Sequence, residues 1–125
     1  MSNVTIKQIE DLSFYQGPHA REGIRFRYAG RELGVTAWGM NVLELAPHCT
    51  NYPEHDHQAD GQEEVYVVLR GAVRMRAAGE ELRLASGTLV RVAPGEKRCF
   101  FTDAEGATLL AIGATPGKAY APAGG

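Results

Sequence analysis

The segment EHDHQADGQEEVYVVLRG, residues 54–71, contains the pattern on which the fold prediction depends. His55 and His57 are two residues apart, a polar loop follows, and Glu64 precedes an apolar run that reaches Gly71. Because residues i and i+2 of an extended chain point to the same face, the two imidazoles would project together. Two imidazoles and a carboxylate from the next strand form a donor set for a transition metal. A solvated loop that carries two histidines is the alternative.

Strand signals dominate the rest of the chain. Segments rich in β-branched, aromatic and other apolar residues, bounded by Gly, Pro or Asp, lie at 24–47, 65–84, 88–95, 97–103 and 107–113. No segment combines a sustained helical repeat of apolar residues with a capping signal. Short strands that recur roughly every 8–12 residues predict an all-β protein, an antiparallel sandwich or barrel.

Two of these segments contain internal breaks. The residues at 29–30 divide segment 24–47 into two predicted strands. Gly71 and the turn at 78–79 divide segment 65–84 into three. Glycine is the strongest local signal for a turn, so we expect a strand to end at each of these points.

The length of 125 residues suits one hydrophobic core but not two. We therefore expect a single domain over 1–125, with a barrel core at about 22–114. An N-terminal strand or arm at 1–21 and a C-terminal arm at 115–125 would flank this core. Segment 4–12 fits either a helical turn or an edge strand.

The charge balance argues against polyanionic partners. Fifteen acidic and thirteen basic residues give a net charge of −2. A nucleic acid or an anionic membrane would call for a concentrated basic surface, so we expect neither partner. No apolar run approaches the roughly 20 residues of a membrane span, and the N-terminal residues lack the apolar centre of a signal peptide. We expect a cytoplasmic protein in which Cys49 and Cys99 remain thiols.

The histidine segment resembles the first motif of the cupin superfamily, G-x5-HxH-x3,4-E-x6-G. His55, His57, Glu64 and Gly71 match it, and the six residues between Glu64 and Gly71 select the second glutamate of the pair as the family's ligand. Two features depart from the motif. Six residues, rather than three or four, separate His57 from Glu64, and Cys49 stands where the first glycine is expected.

A second segment resembles the other cupin motif, G-x5-PxG-x2-H-x3-N. Gly87 begins it, residues 93–95 take the place of PxG with alanine first, and Thr102 takes the place of the final Asn. Arg98 stands where the family has a histidine ligand. Together the motifs span about half of the chain. The resemblance implies an antiparallel double-stranded β-helix, the jelly-roll barrel of cupins.

The resemblance also implies a divalent metal ion as cofactor. His55, His57 and Glu64 would be its ligands, and Fe, Mn, Ni, Zn and Cu all accept imidazole nitrogen with carboxylate oxygen. The sequence leaves the identity of the metal open.

Arg98 puts the usual four-ligand site in question, because a guanidinium has no lone pair to donate. One interpretation is that three ligands hold the metal and Arg98 binds an anionic group of the substrate. A second is that Arg98 pairs with Glu64 or Glu63 in a metal-free pocket. A third is that the lengthened loop has shifted, and that His48 or Gln62 completes the ligand set.

Strand alternation predicts which side chains surround the site. If Glu64 faces inward, so does Tyr66, and the same reasoning turns Arg98 and Phe100 inward on the later strand. We therefore expect a partly apolar pocket rimmed by Tyr66, Phe100 and Arg98, with one cationic end. His19 lies in a Gly/Pro turn and is interpreted as a surface histidine.

The outward-facing residues at 65, 67 and 69 are also apolar and need a cover. The N-terminal strands or a second subunit could provide it, so we predict a homodimer.

The resemblance implies an enzyme that acts on a small oxygenated or carboxylated molecule, of the dioxygenase, isomerase, decarboxylase or cyclase type. Glu63 or Tyr66 would then serve as the catalytic group in proton transfer. The alternative is a noncatalytic binding or sensing protein in which Arg98 anchors an anionic ligand. Because one fold supports many chemistries, these functions follow from resemblance alone.

Overall fold

The computed structural model of the chain describes residues 3–121. Its elements follow one another as a 3-10 helix at Ile9–Asp11, β1 at Ile24–Arg27, α1 at Ala29–Leu33, β2 at Gly39–Leu45, β3 at Glu63–Ala77, β4 at Glu80–Ala85, β5 at Leu89–Val92, β6 at Arg98–Phe101 and β7 at Ala107–Ala114. The strands are linked in the order β1-β2-β7-β3-β4, and β5 and β6 also pair with β3. Each of these pairings is antiparallel, which confirms the all-β prediction.

The long strand β3 joins the two halves of the barrel. Its first half pairs with β5 and β7, and its second half pairs with β4 and β6. The predicted end of a strand at Gly71 is therefore wrong. The chain bends there instead, at a register shift between Val68 and Arg70. Gly71 has φ 75°, and a Cβ at this position would lie 1.9 Å from the carbonyl oxygen of Gly106.

The predicted turn at 78–79 is present. Ala78 and Gly79 both have positive φ, 53° and 75°, and they connect β3 to β4. Positive φ at both central residues is the geometry that matches the twist of a two-residue hairpin.

The break predicted at 29–30 is a helix that the sequence signals missed. Five residues are too few to show a helical repeat. The helix ends at Leu33 and is capped by Gly34, which has φ 82°. In the ambiguous segment 4–12, the chain forms the 3-10 helix. The buried Arg27 holds this arm, since it donates to the Leu12 carbonyl at 2.6 Å and to Glu44 at 2.7 Å.

The barrel interior follows the predicted alternation of side chains. Tyr66, Val68 and Phe100 belong to one buried cluster and are at most 2% exposed. On the outside, Leu69, Leu82 and Leu89 are 40%, 43% and 70% exposed. The homodimer that would cover such residues stays a prediction, as do the domain bounds. Within residues 3–121, no helix is long and apolar enough to cross a membrane.

We expect Gly71→Ala to lower the free energy of unfolding by about 3 kcal/mol or more, because the added Cβ would strain φ and collide with the backbone of Gly106. Gly79→Ala is the matched control: its φ is also 75°, but nothing lies within 4 Å of the added Cβ. It should cost about 1 kcal/mol. Denaturant unfolding measures both, and equal losses would show that the close approach at Gly71 is unimportant.

Candidate metal centre and cavity

Backbone hydrogen bonds hold both histidines of the first motif against the barrel. His55 pairs with Arg98 across an antiparallel bridge, through N–H···O contacts of 3.2 and 3.0 Å. The N–H of His57 donates to the carbonyl of Pro94 at 2.8 Å. The lengthened loop then folds back, since Gly61 donates to the carbonyl of His57 at 2.7 Å. The extra residues thus form a local turn and leave the histidines in place.

The two imidazoles meet the carboxylate of Glu64. One ligand atom from each of His55, His57 and Glu64 lies within 4.8 Å of the others. Nε2 of His57 is 3.2 Å from Oε1 of Glu64. Two ligand atoms at about 2.1 Å from one ion, roughly at right angles, are about 3 Å apart, so this pair has the spacing of adjacent ligands.

A contact at Nδ1 orients each of the two imidazole rings. Nδ1 of His55 lies 3.0 Å from the Pro53 carbonyl, which can only accept, so Nδ1 carries a hydrogen and the neutral ring has its lone pair on Nε2. Nδ1 of His57 lies 3.1 and 3.2 Å from the two carboxylate oxygens of Asp60. Partners of this kind accompany metal-bound histidines in proteins.

His57 therefore stands between two carboxylates. When its Nδ1–H serves Asp60, the lone pair of Nε2 faces a Glu64 oxygen at 3.2 Å. Two lone pairs at this distance repel each other unless a proton or a metal ion lies between them. The donor set fits a divalent metal ion, because the two rings present nitrogen lone pairs and Glu64 supplies negative charge.

The carboxylate of Asp60 is suited to accept the hydrogen bond from Nδ1 of His57. Burial raises the pKa of Asp60, but hydrogen bonds from the Gln62 backbone and from His57 outweigh burial and hold it below its usual range. The carboxylate is therefore ionised at neutral pH and accepts the Nδ1–H of His57.

Glu64 has two donors and the His57 ring at one oxygen. Oε1 accepts from the hydroxyl of Tyr66 at 2.5 Å and from NH1 of Arg98 at 3.4 Å, in addition to the contact with His57. Gly113 on β7 leaves room for this side chain, since a Cβ there would lie 3.0 Å from Cγ of Glu64.

Arg98 contacts the candidate ligand Glu64 but lies outside the cavity wall. Its side chain is 0% exposed, NH2 donates to the Ala93 carbonyl at 3.1 Å, and Nε has no partner within the described residues. Phe100 is also fully buried and packs its ring against Tyr66. The prediction that Arg98 and Phe100 line the rim of the cavity is therefore wrong, because neither side chain has surface that a ligand could reach. Tyr66 does line the cavity.

Glu63 does not reach the cavity. Its carboxylate binds Arg91 at 2.5 Å on the outer side of the barrel. The expected catalytic role of Glu63 is therefore corrected, because its side chain points away from any ligand in the cavity.

The two residues considered as a fourth ligand lie in different places. Gln62 lines the cavity, whereas His48 is exposed and lies outside the cavity wall. Arg98 contacts Glu64, as a metal-free pocket would require, yet this contact leaves the three ligand atoms together.

A cavity of about 510 Å³ opens above the candidate ligands. Many residues of its wall were not predicted from the sequence. They come from the N-terminal arm and from scattered strand and loop positions. These residues include Tyr15, His19, Arg21, Asn41, Tyr52 and Tyr120. His19 is exposed, as predicted, and its turn also lines the cavity. No local pattern in the sequence signals this placement.

Two tyrosines connect the cavity to Glu64. Burial raises the pKa of Tyr66, and the nearby Tyr52 and Glu64 raise it further. Burial likewise raises the pKa of Tyr52, whose hydroxyl is hydrogen-bonded to Tyr66. Both phenols are therefore protonated at neutral pH and act as hydrogen-bond donors.

Comparison with known proteins defines the fold. No protein-family model and no curated protein matches the sequence. Among solved structures, a cupin protein from Bacteroides fragilis is 23% identical over 90% of this chain and 94% of its own, with a TM-score of 0.64. A sugar phosphate isomerase of the cupin superfamily from Silicibacter pomeroyi is 18% identical over 90% and 77%, with a TM-score of 0.71. The polyketide cyclase RemF from Streptomyces resistomycificus is 16% identical over 87% and 78%, with a TM-score of 0.71.

The class of fold follows from these similarities and from the strand pairing. The chain has the cupin fold, an antiparallel jelly-roll barrel. The cupin fold that the two sequence motifs implied is therefore confirmed.

We expect Asp60→Asn to weaken metal binding by about 10- to 100-fold, because His57 would lose the anionic acceptor that orients its ring. The control is Asp56→Asn, whose carboxylate accepts only from the Gln58 backbone among the described contacts. Titration with Co²⁺, followed by its visible absorbance, measures both affinities. Equal affinities for the two variants would show that Asp60 does not orient a ligand.

We expect Arg98→Met to strengthen metal binding by about tenfold, since it removes a positive charge that lies 3.4 Å from a ligand oxygen. The same change should lower the stability of the metal-free protein by about 3 kcal/mol, because Glu64 loses a buried partner. Arg91→Met is the control: it removes an arginine–glutamate pair on the outer surface. Weaker metal binding by the Arg98 variant would contradict the charge argument.

Proposed function

We propose that the chain is a divalent-metal-dependent enzyme that acts on a small oxygenated molecule bound in the barrel cavity. One observation carries the proposal: Nε2 of His57 lies 3.2 Å from a Glu64 carboxylate oxygen while its Nδ1 contacts Asp60, so in the neutral ring a lone pair faces that oxygen. Two electron-rich atoms held this close call for a proton or a metal ion between them, and the third ligand atom within 4.8 Å favours the metal ion. His55 completes the set, because its Nε2 also keeps a lone pair.

His55, His57 and Glu64 would hold the ion. When bound, a divalent ion supplies a Lewis acid that polarises a substrate oxygen. Three protein ligands leave positions open for that oxygen. Arg98 lies on the buried side of Glu64 and therefore leaves the side that faces the cavity free.

The chain's own residues supply the rest of the chemistry. Tyr52 lines the cavity, and its hydroxyl oxygen, whose hydrogen is donated to Tyr66, can accept a hydrogen bond from a substrate hydroxyl group. Tyr66 holds Glu64 in a fixed orientation through its 2.5 Å hydrogen bond. The amides of Asn41 and Gln62 add neutral hydrogen-bonding groups to the wall.

This set of groups favours reactions that shift protons on oxygenated carbon, the isomerase and cyclase types. Polarisation of a carbonyl or hydroxyl, with a hydrogen-bond donor at the developing charge, is the main requirement of such reactions. Two proteins of similar structure are a sugar phosphate isomerase and a polyketide cyclase. A noncatalytic role with Arg98 as ligand anchor has no support, because Arg98 is fully buried.

The proposal requires metal in the protein, which can be tested directly. Elemental analysis of protein purified without a histidine tag should find close to one divalent ion per chain. After chelation, addition of Mn, Fe, Ni, Zn or Cu one at a time should raise the melting temperature for the ion that fits. His57→Ala should abolish both effects, whereas His48→Ala, at an exposed histidine outside the cavity, should retain them. Absence of bound metal together with no metal-induced stabilisation would refute the proposal.

A further inference from the structure

Arg21 is a cation of the cavity wall that the metal proposal does not use. It lies in the N-terminal arm and lines the cavity together with His19. Its one hydrogen bond among the described residues joins NH1 to the carbonyl of Asn51 at 3.3 Å. A guanidinium has five N–H donors, so most of those of Arg21 remain available to a ligand.

Arg21 is also the one arginine within residues 3–121 that lines this cavity. Within residues 3–121 it pairs with no carboxylate, whereas each of the following arginines does: Arg25, Arg27, Arg74, Arg91 and Arg98. A positive charge that faces a cavity and is not neutralised by the protein can bind an anionic group.

The arm that carries Arg21 is held in place against the barrel. The N–H of Tyr15 donates to the Phe26 carbonyl at 2.8 Å, and the Tyr15 hydroxyl accepts from the N–H of His19 at 3.1 Å. The Tyr15 ring folds over Gly17, where a Cβ would lie 2.4 Å from its hydroxyl oxygen. Asn51 donates to the Glu22 carbonyl at 3.0 Å. These contacts fix where Arg21 lies at the cavity mouth.

The walls between Arg21 and the candidate metal ligands are largely aromatic. The rings that line the cavity belong to Tyr15, Phe26, Tyr28, Tyr52, Tyr66 and Tyr120. Aromatic side chains stack against flat, unsaturated ligands, and a cavity of about 510 Å³ suits a molecule of one or two rings.

The geometry points to a substrate that is a flat, unsaturated or aromatic carboxylic acid, whose carboxylate pairs with Arg21 at the mouth. The oxygen at its other end would reach the His55, His57 and Glu64 cluster, and this half of the inference rests on the proposed function. Arg21 thus takes the role of anionic anchor that sequence analysis assigned to Arg98. Arg98 cannot fill that role because it is 0% exposed.

Two probes of equal shape and different charge test the inference. Calorimetry measures the binding of 4-hydroxybenzoate and of its neutral analogue 4-hydroxybenzamide to the full chain, once with metal and once after chelation. The acid should bind at least about fivefold more tightly than the amide, and the preference should shrink at high salt. Arg21→Gln should abolish the preference. Arg25→Gln, four residues away and outside the cavity wall, should retain it.

The outcomes separate this inference from the metal proposal. A preference for the acid that survives chelation and disappears in Arg21→Gln supports the anchor, whatever the metal result. A preference that depends on metal and persists in Arg21→Gln overturns the anchor and leaves the metal proposal standing. No binding of the acid to either form, or equal loss in both arginine variants, also overturns the anchor.

Discussion

Strand β3 bends without ending, and both the barrel and the candidate metal centre depend on that bend. One continuous backbone pairs with β5 and β7 before the bend and with β4 and β6 after it. Gly71 makes this possible, because its left-handed φ of 75° and its missing Cβ admit the Gly106 carbonyl. Glu64 is placed by the first half, and Arg98 is placed by β6 on the second half. The contact between these two side chains therefore exists only because the strand passes through both sheets.

The Glu64 carboxylate is both the ionic partner of the buried Arg98 and a candidate metal ligand. A buried guanidinium without an anionic partner would be very unfavourable, so Arg98 needs Glu64 to be ionised. Tyr66 fixes the same oxygen with a short hydrogen bond. These contacts hold the carboxylate ready for a cation on its cavity side. They also place the charge of Arg98 3.4 Å from Glu64, which would lower the affinity of this carboxylate for a cation.

Local patterns were enough to predict the fold class, the inward residues and the candidate ligand set. The alternation of Glu64, Tyr66 and Val68 depends only on the two-residue period of a strand. The errors have a different origin. Gly71 signals a turn locally, and only the distant Gly106 backbone shows why the strand continues. Arg98 was correctly turned inward, but its depth relative to the cavity depends on packing that no local period encodes.

The cavity combines two parts of the chain with different constraints. The loop before β3 and the start of β3 carry the candidate ligand set, whose spacing the first cupin-like motif restricts. The N-terminal arm supplies Tyr15, His19 and Arg21, and it is held by a few backbone contacts and by Arg27. A change in the arm can alter which molecule enters without disturbing the buried core. The arm can therefore vary in sequence while the barrel stays the same, because loops tolerate substitution better than a packed core does and one fold supports many sites.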